Sequence, residues 1–227
     1  MWELLLSVIL KPIAKTIGKY FGKVFKRYLH HKATLPEAIR RTQVTRTLMA
    51  EARVLFQADR VAIFQFHNGG IFSNRNPQWR VSCTDDLPGP GVLSVGVDSQ
   101  AIFASRMIDM VGHLFDQNHL PTHVRHLRTK DGRSIFVLAV GEMEQGFSKV
   151  VLENQGVDYF VQAPIFDQDN CIFGYVTMDF CSFGRGPTLT NVQAAWDCLR
   201  GQLPRASEYV SRIEFSITNK GTPLRKG

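Results

Sequence analysis

The run GVDYFVQAPIFDQDNCIFGYVTMDF, residues 156–180, constrains this chain more than any other stretch. Tyr159 to Phe166 is aromatic and β-branched, Asp167-Gln168-Asp169-Asn170 interrupts it, and Cys171 to Phe180 is apolar again, which predicts a hairpin. Both predicted strands carry apolar side chains on both faces, Val161 and Ile165 against Phe160 and Phe166, and Phe173 and Tyr175 against Ile172, Val176 and Met178. Such strands belong in the middle of a sheet that is covered on both sides. Asp179 is the hairpin's one polar candidate for a functional role, and its place at a strand end accounts for it structurally.

A chain of 227 residues, 44% of them hydrophobic, suits one globular domain with appendages. Cys83, Cys171, Cys181 and Cys198 are scattered and form no C-x-x-C pair, so neither a zinc ribbon nor a disulfide scaffold is indicated. Reduced thiols in a cytoplasmic setting are expected, with no cofactor. Of the net charge of +7, nearly all belongs to residues 1–32, which hold seven of the 27 Lys and Arg but only Glu3 among the 20 Asp and Glu. The remainder is close to neutral, which argues against a nucleic-acid-binding globular surface.

Within that N-terminal segment the apolar run Leu4 to Leu10 is too short to span a bilayer, and positive charge follows rather than precedes it, unlike in a signal peptide. Beyond Pro12, helical spacing gathers Ile13, Ile17, Tyr20, Phe21, Val24 and Tyr28 on one arc, with Lys11, Lys15, Lys19, Lys23 and Lys26 opposite. This basic amphipathic helix can lie on an anionic membrane surface, at about 1 kcal/mol per basic residue, or pack on a partner helix or another protomer. Gly18 and Gly22 each cost roughly 1 kcal/mol against Ala, so the helix needs something to bind.

A second helix is predicted from the capping-box spacing Thr34-Leu35-Pro36-Glu37 to about Phe56. A strand follows from Arg60 to Phe66, then the turn His67-Asn68-Gly69-Gly70, an irregular loop, and a strand from Trp79 to Thr84. His67, Asn68, Arg75, Trp79 and Arg80 thereby come to one sheet edge, where an anion or planar ligand can be held; alternatively the His and Asn bond their own backbone. Asp85 to Gly91 is expected to be a turn cluster, and Asp98 to cap a helix through about Leu114. His113, Asp116, His119, His123 and His126 raise a metal reading, but Pro121 breaks the helical register and no second carboxylate lies nearby. An exposed polar loop is expected there, with no metal. Asp131-Gly132 turns into a strand from Ser134 to Val140, and a short helix from Ser148 to Asn154 precedes the hairpin. A last helix from Thr188 or Thr190 carries Leu189, Val192, Trp196, Leu199 and Leu203, and Pro204 should kink or end it before Tyr209, Val210 and Ile213.

This order predicts an α+β fold, a mainly antiparallel central sheet with helices on one face, preceded by the long N-terminal amphipathic helix. The expected organisation is residues 1–32 as that helix, 34–213 as the domain and 214–227 as a loose tail. Leu152-Glu-Asn-Gln-Gly156-Val157 leading into Pro164-Ile165, then Ile172-x-Gly174 and Val176, resembles a GAF domain. The Phe66-His67-Asn68-Gly69-Gly70 turn also resembles that of uncharacterised GAF-like proteins of bacteria and their phages.

The resemblance implies a module that binds a small molecule, or that serves only in dimerisation and signalling. It transfers no site residues. The Asn-Lys…Phe…Asp-Glu constellation of the cyclic-nucleotide-binding members is absent, no cysteine stands in a bilin-attachment context, and the clustered loop cysteines of the GAF-fold reductases are missing. A G-x-S-x-G motif, a Walker loop and a paired-carboxylate site are also lacking, and Asp85-Asp86 stands in a proline turn. The expectation is a non-catalytic sensing or docking module, homo-oligomeric, held by its first helix to a membrane surface or to other protomers. The alternative is a structural subunit of a large assembly, a virion if the source is a phage.

Overall fold

The computed structural model describes residues 35–71, 77–167, 169–181 and 191–218. Residues 1–34, with the predicted amphipathic helix and Thr34 of the capping box, lie outside them, as do Arg75, Leu189 and residues 219–227. The chain divides after Thr42 into two compact units, and the second, from Gln43, carries the sheet and both of its cores. The elements in chain order are α1 (Leu35–Phe56), β1 (Arg60–Ile71), β2 (Pro77–Pro88), β3 (Ile102–Phe103), α2 (Ile108–Phe115), β4 (Val124–Arg128), β5 (Ser134–Ala139), α3 (Phe147–Asn154), β6 (Val157–Phe166), β7 (Ile172–Cys181), α4 (Val192–Leu199) and α5 (Leu203–Thr218).

The seven strands form one sheet in the order β3-β2-β1-β7-β6-β5-β4, antiparallel at every junction. The fold is α+β, a seven-stranded antiparallel sheet with helices packed on it. The predicted hairpin is β6–β7, with Val161 opposite Met178 and Ala163 opposite Val176. Both strands are interior, as their two-sided apolarity requires. On the first face Val61, Ile63, Val161, Ile165, Val176 and Met178 pack with Met49 and Ala52 of α1, Ala195 and Leu199 of α4, and Leu203, Val210 and Ile213 of α5. On the second, Ala62, Phe64, Phe136, Leu138, Phe160 and Tyr175 pack with Met110, Val111 and Leu114 of α2 and Leu152 of α3. Three helices therefore gather on the first face, and the short α2 and α3 close the second. Full burial of each large apolar side chain contributes about 1.5–3 kcal/mol.

The short sequence signals have physical causes. Helix α3 stops because Gly156 takes φ +69°, a left-handed turn that returns its N–H to the Glu153 carbonyl at 2.9 Å and releases Val157 into β6. At Gly174 a Cβ would stand 2.2 Å from the Phe64 carbonyl oxygen, so the β1–β7 approach requires glycine there.

Four local expectations are corrected. Strand β1 runs through His67-Asn68-Gly69-Gly70 to Ile71, and β2 continues past Asp85 to Pro88, because Asp85 is held by Arg46 of α1 at 3.0 Å and Leu87 packs on the core. Asp98 caps no long helix. Ala101 takes φ +52°, which breaks helical backbone, Ile102-Phe103 pairs with β2, and after a 3-10 turn α2 begins only at Ile108. Part of the expected polar loop is strand β4, in which Val124 and His126 face the second core from opposite Leu138 and Phe136. Finally, the expected break in the last helix falls before Pro204 rather than at it, with α4 ending at Leu199 and α5 starting at Leu203. Asn191 caps α4 by accepting from the Ala194 N–H at 2.7 Å, and Pro204 stands in the first turn of α5, where its missing N–H is tolerated.

Candidate functional site

The β1–β2 end carries the residues singled out in sequence. His67 is paired in register with Arg80, and Asn68 with Trp79. Strand alternation puts His67 and Arg80 on one face and Trp79 on the other, so these three side chains do not converge. His67 Nε2 stands 2.8 Å from Ser82 Oγ, which also accepts from the Ala101 N–H at 2.8 Å. The Arg80 guanidinium lies over the Phe103 ring at 4.5 Å, and Trp79 is 54% exposed. Each is thus accounted for by local contacts or by solvent.

The histidine-rich segment also disperses. His113 faces the second core from α2, His123 Nε2 donates to the Asp109 carbonyl at 3.2 Å, and His126 stacks on Phe136 with ring centroids 4.8 Å apart. His119 is exposed and pairs with Asp116 at 3.3 Å. Among the described residues no group of three or more His, Cys, Asp or Glu is placed to hold a metal ion, and no helix is long and apolar enough to cross a membrane.

The second face of the sheet holds a polar layer that sequence reasoning missed. Arg60, Tyr175, Thr177 and Asp179 alternate inward from β1 and β7, and Gln162 of β6 lies directly opposite Thr177. Arg60 Nε donates to Asp179 Oδ2 at 2.7 Å, Nη1 to the Leu93 carbonyl at 3.0 Å and Nη2 to Gln155 Oε1 at 3.0 Å. His113 Nε2 donates to Gln162 Oε1 at 2.7 Å, which makes its Nδ1 a bare acceptor while the ring is neutral. Burial keeps it neutral by lowering its pKa to about 4, against the raising effect of the Gln162 bond, with His123 and His126 adding to the fall. Burial likewise holds the Tyr175 phenol well above its ordinary value and pushes the Cys83 thiol up to about 12.

Four polar atoms of this layer, His113 Nδ1, Gln162 Nε2, Tyr175 Oη and Thr177 Oγ1, are buried and have no hydrogen-bond partner among the described residues. Their side chains are 0–3% exposed, so bulk water does not reach them. In sequence they are single polar residues inside apolar runs. Only the pairing of β6 with β7, and the seating of α2 over it, shows that they share a face.

No family model matches the chain, and no curated protein matches it. Solved structures do match. The blue-light-absorbing form of the PixJ GAF domain of Thermosynechococcus elongatus is 14% identical over 78% of this chain and 95% of its own, with a TM-score of 0.42. A phycoerythrobilin-bound GAF domain from a cyanobacterial phytochrome is 18% identical over 81% and 97%, with a TM-score of 0.40. The phycocyanobilin-bound counterpart is 19% identical over 74% and 86%, with a TM-score of 0.37.

Proposed function

We propose that the chain is a non-catalytic sensing module that takes up a small molecule on the second face of its sheet and is attached through residues 1–32 to an anionic membrane surface or to other protomers. The observation that carries this reading is the set of four buried, unpartnered polar atoms on His113, Gln162, Tyr175 and Thr177. Each would cost about 1–3 kcal/mol if left unmet. Together they approach the net stability of a whole domain, about 5–15 kcal/mol. Gln162 lies opposite Thr177 and in contact with His113, with Phe64, Phe136 and Phe160 in the same core, a lining that suits a molecule with an apolar body and polar edges.

The test is a thermal-shift screen of the full chain against a broad metabolite panel, repeated on Gln162→Leu. A true ligand at 100 times its Kd adds about 2.7 kcal/mol to stability. The shift should vanish in Gln162→Leu. Loss in Trp79→Ala or Arg75→Ala instead would move the site to the β1–β2 end, and no shift from any metabolite would overturn the sensing reading. Attachment is tested by flotation with anionic vesicles beside sizing of the chain with and without residues 1–32. Truncation should abolish either vesicle binding or a defined oligomer, and a truncated chain unchanged in both would overturn attachment.

A further inference from the structure

The charges facing the polar layer are few. Among the described residues Arg60 is the only buried Lys or Arg, and Asp179 the only buried Asp or Glu. They answer each other at 2.7 Å, and the remaining guanidinium nitrogens are taken by the Leu93 carbonyl and Gln155. The unpartnered groups of the layer are a carboxamide N–H2, two hydroxyls and a bare imidazole nitrogen, and His126 Nε2, on the ring stacked on Phe136, is a further buried ring nitrogen on this face without a partner among the described residues. A buried ion with no counter-charge carries a desolvation penalty of several kcal/mol that neutral dipoles recover only in part. An anion placed here would meet a carboxylate and a guanidinium already engaged, and a cation would compete with Arg60 for Asp179.

The cover suits a small guest. Ala62 stands opposite Thr177 in the neighbouring strand, leaving little side-chain bulk there. Met107, Met110 and Met143 belong to the core on this face, and unbranched, polarisable methionines repack around an inserted molecule more readily than β-branched residues. The unmet groups also have a directional pattern. Gln162 Nε2 can only donate, His113 Nδ1 can only accept, and the Thr177 and Tyr175 hydroxyls can do either.

We infer, resting on the site proposed above, that its ligand is small and uncharged, an amide or nitrogen heterocycle that offers an acceptor to the Gln162 carboxamide and a donor to the bare nitrogen of His113, with Thr177 and Tyr175 completing its hydrogen bonds. A carbonyl beside an N–H is the simplest group with that complement. Charged relatives of the same molecules, carboxylates and phosphates, are rejected because nothing free in the layer neutralises them.

Matched pairs test this on the full chain by thermal shift and titration calorimetry: nicotinamide against nicotinate, adenine against adenosine monophosphate, uracil against uridine monophosphate. At least one neutral member should bind at least tenfold more tightly than its charged partner. Gln162→Leu should weaken that binding at least tenfold. Thr177→Val, close to isosteric, should weaken it severalfold, and carries the test if Gln162→Leu does not fold. A charged member that binds as tightly as its neutral partner overturns the inference; if Gln162→Leu abolishes that binding too, the site stands and only the ligand class fails. Failure of every neutral member to bind also overturns the class, while the metabolite panel decides the site independently.

Discussion

Arg60 Nε stands 2.7 Å from Asp179 Oδ2 across the β1–β7 pair, both side chains buried at the centre of the sheet. Through the same guanidinium, Arg60 ties the Leu93 segment and Gln155, which comes directly after α3, to the sheet. Removing one partner of such a pair leaves an uncompensated buried charge, at a cost of about 3–5 kcal/mol, whereas an apolar replacement of both is often neutral. Asp179→Ala is therefore expected to lose about 3–5 kcal/mol in urea unfolding. The double variant Arg60→Met with Asp179→Leu should recover most of it. A loss below about 1 kcal/mol in Asp179→Ala would show that the pair does not hold the sheet.

Gly174→Ala tests the close approach of β1 to β7. The added Cβ would meet the Phe64 carbonyl oxygen at 2.2 Å and Gln65 Cα at 3.1 Å, both backbone atoms that move only if the strands part. Overpacking of this kind costs about 1–3 kcal/mol or more. The expected signature is a lower unfolding midpoint with faster amide exchange along the Phe64–Gly174 junction, and an unchanged midpoint would mean that the strands separate freely.

Much of the sheet was legible in the sequence, and the layer that matters most was not. The hairpin from Val157 to Cys181 could be read because two-sided apolarity and a polar break are local signals. Gly156 and Gly174 were legible as a pattern, although the reasons, a left-handed turn and a 2.2 Å approach, are three-dimensional. Helix capping by Asp98 failed because Ala101 adopts φ +52°, where its N–H meets Ser82 Oγ, and no residue type announces that. His113, Gln162 and Thr177 could not be grouped because their contact joins α2 to β6 and β7 across long sequence separations. Asp179 read as a strand-end residue because its partner, Arg60, lies 119 positions away.

Thiol chemistry checks the second face, whose core holds both buried cysteines, without any ligand. Cys171 and Cys198 are exposed, whereas Cys83 and Cys181 are buried and both are pushed up to about 12, chiefly by burial. Because the thiolate is the reactive form, the buried pair is protected by pKa as well as by access. An aromatic disulfide reagent at pH 8 should titrate two thiols in the native protein and four in denaturant. Rapid reaction of a third in the native state would show that the second face opens.

Acid should weaken the fold through His113 before the carboxylates matter. Its folded value of about 4 lies below the ordinary 6.5, so above about pH 6.5 both folded and unfolded states are neutral at this ring and stability is complete. Between about 6.5 and 4 the unfolded chain takes up a proton that the native ring refuses, and stability falls as pH falls. The loss levels off below the folded value at about 3 kcal/mol, an upper figure set by the size of the shift. His126, pulled down by burial and then by Arg128, adds in the same direction. Asp116 and Asp131, both held below the ordinary aspartate value mainly by hydrogen bonds, contribute only at lower pH. Urea unfolding at pH 7, 6, 5 and 4.5 should therefore show a midpoint that declines with acid in the native sequence and much less in His113→Gln. Equal slopes in the two proteins would mean that the ring is not kept neutral against Gln162, and with it would go the bare Nδ1 acceptor on the polar layer.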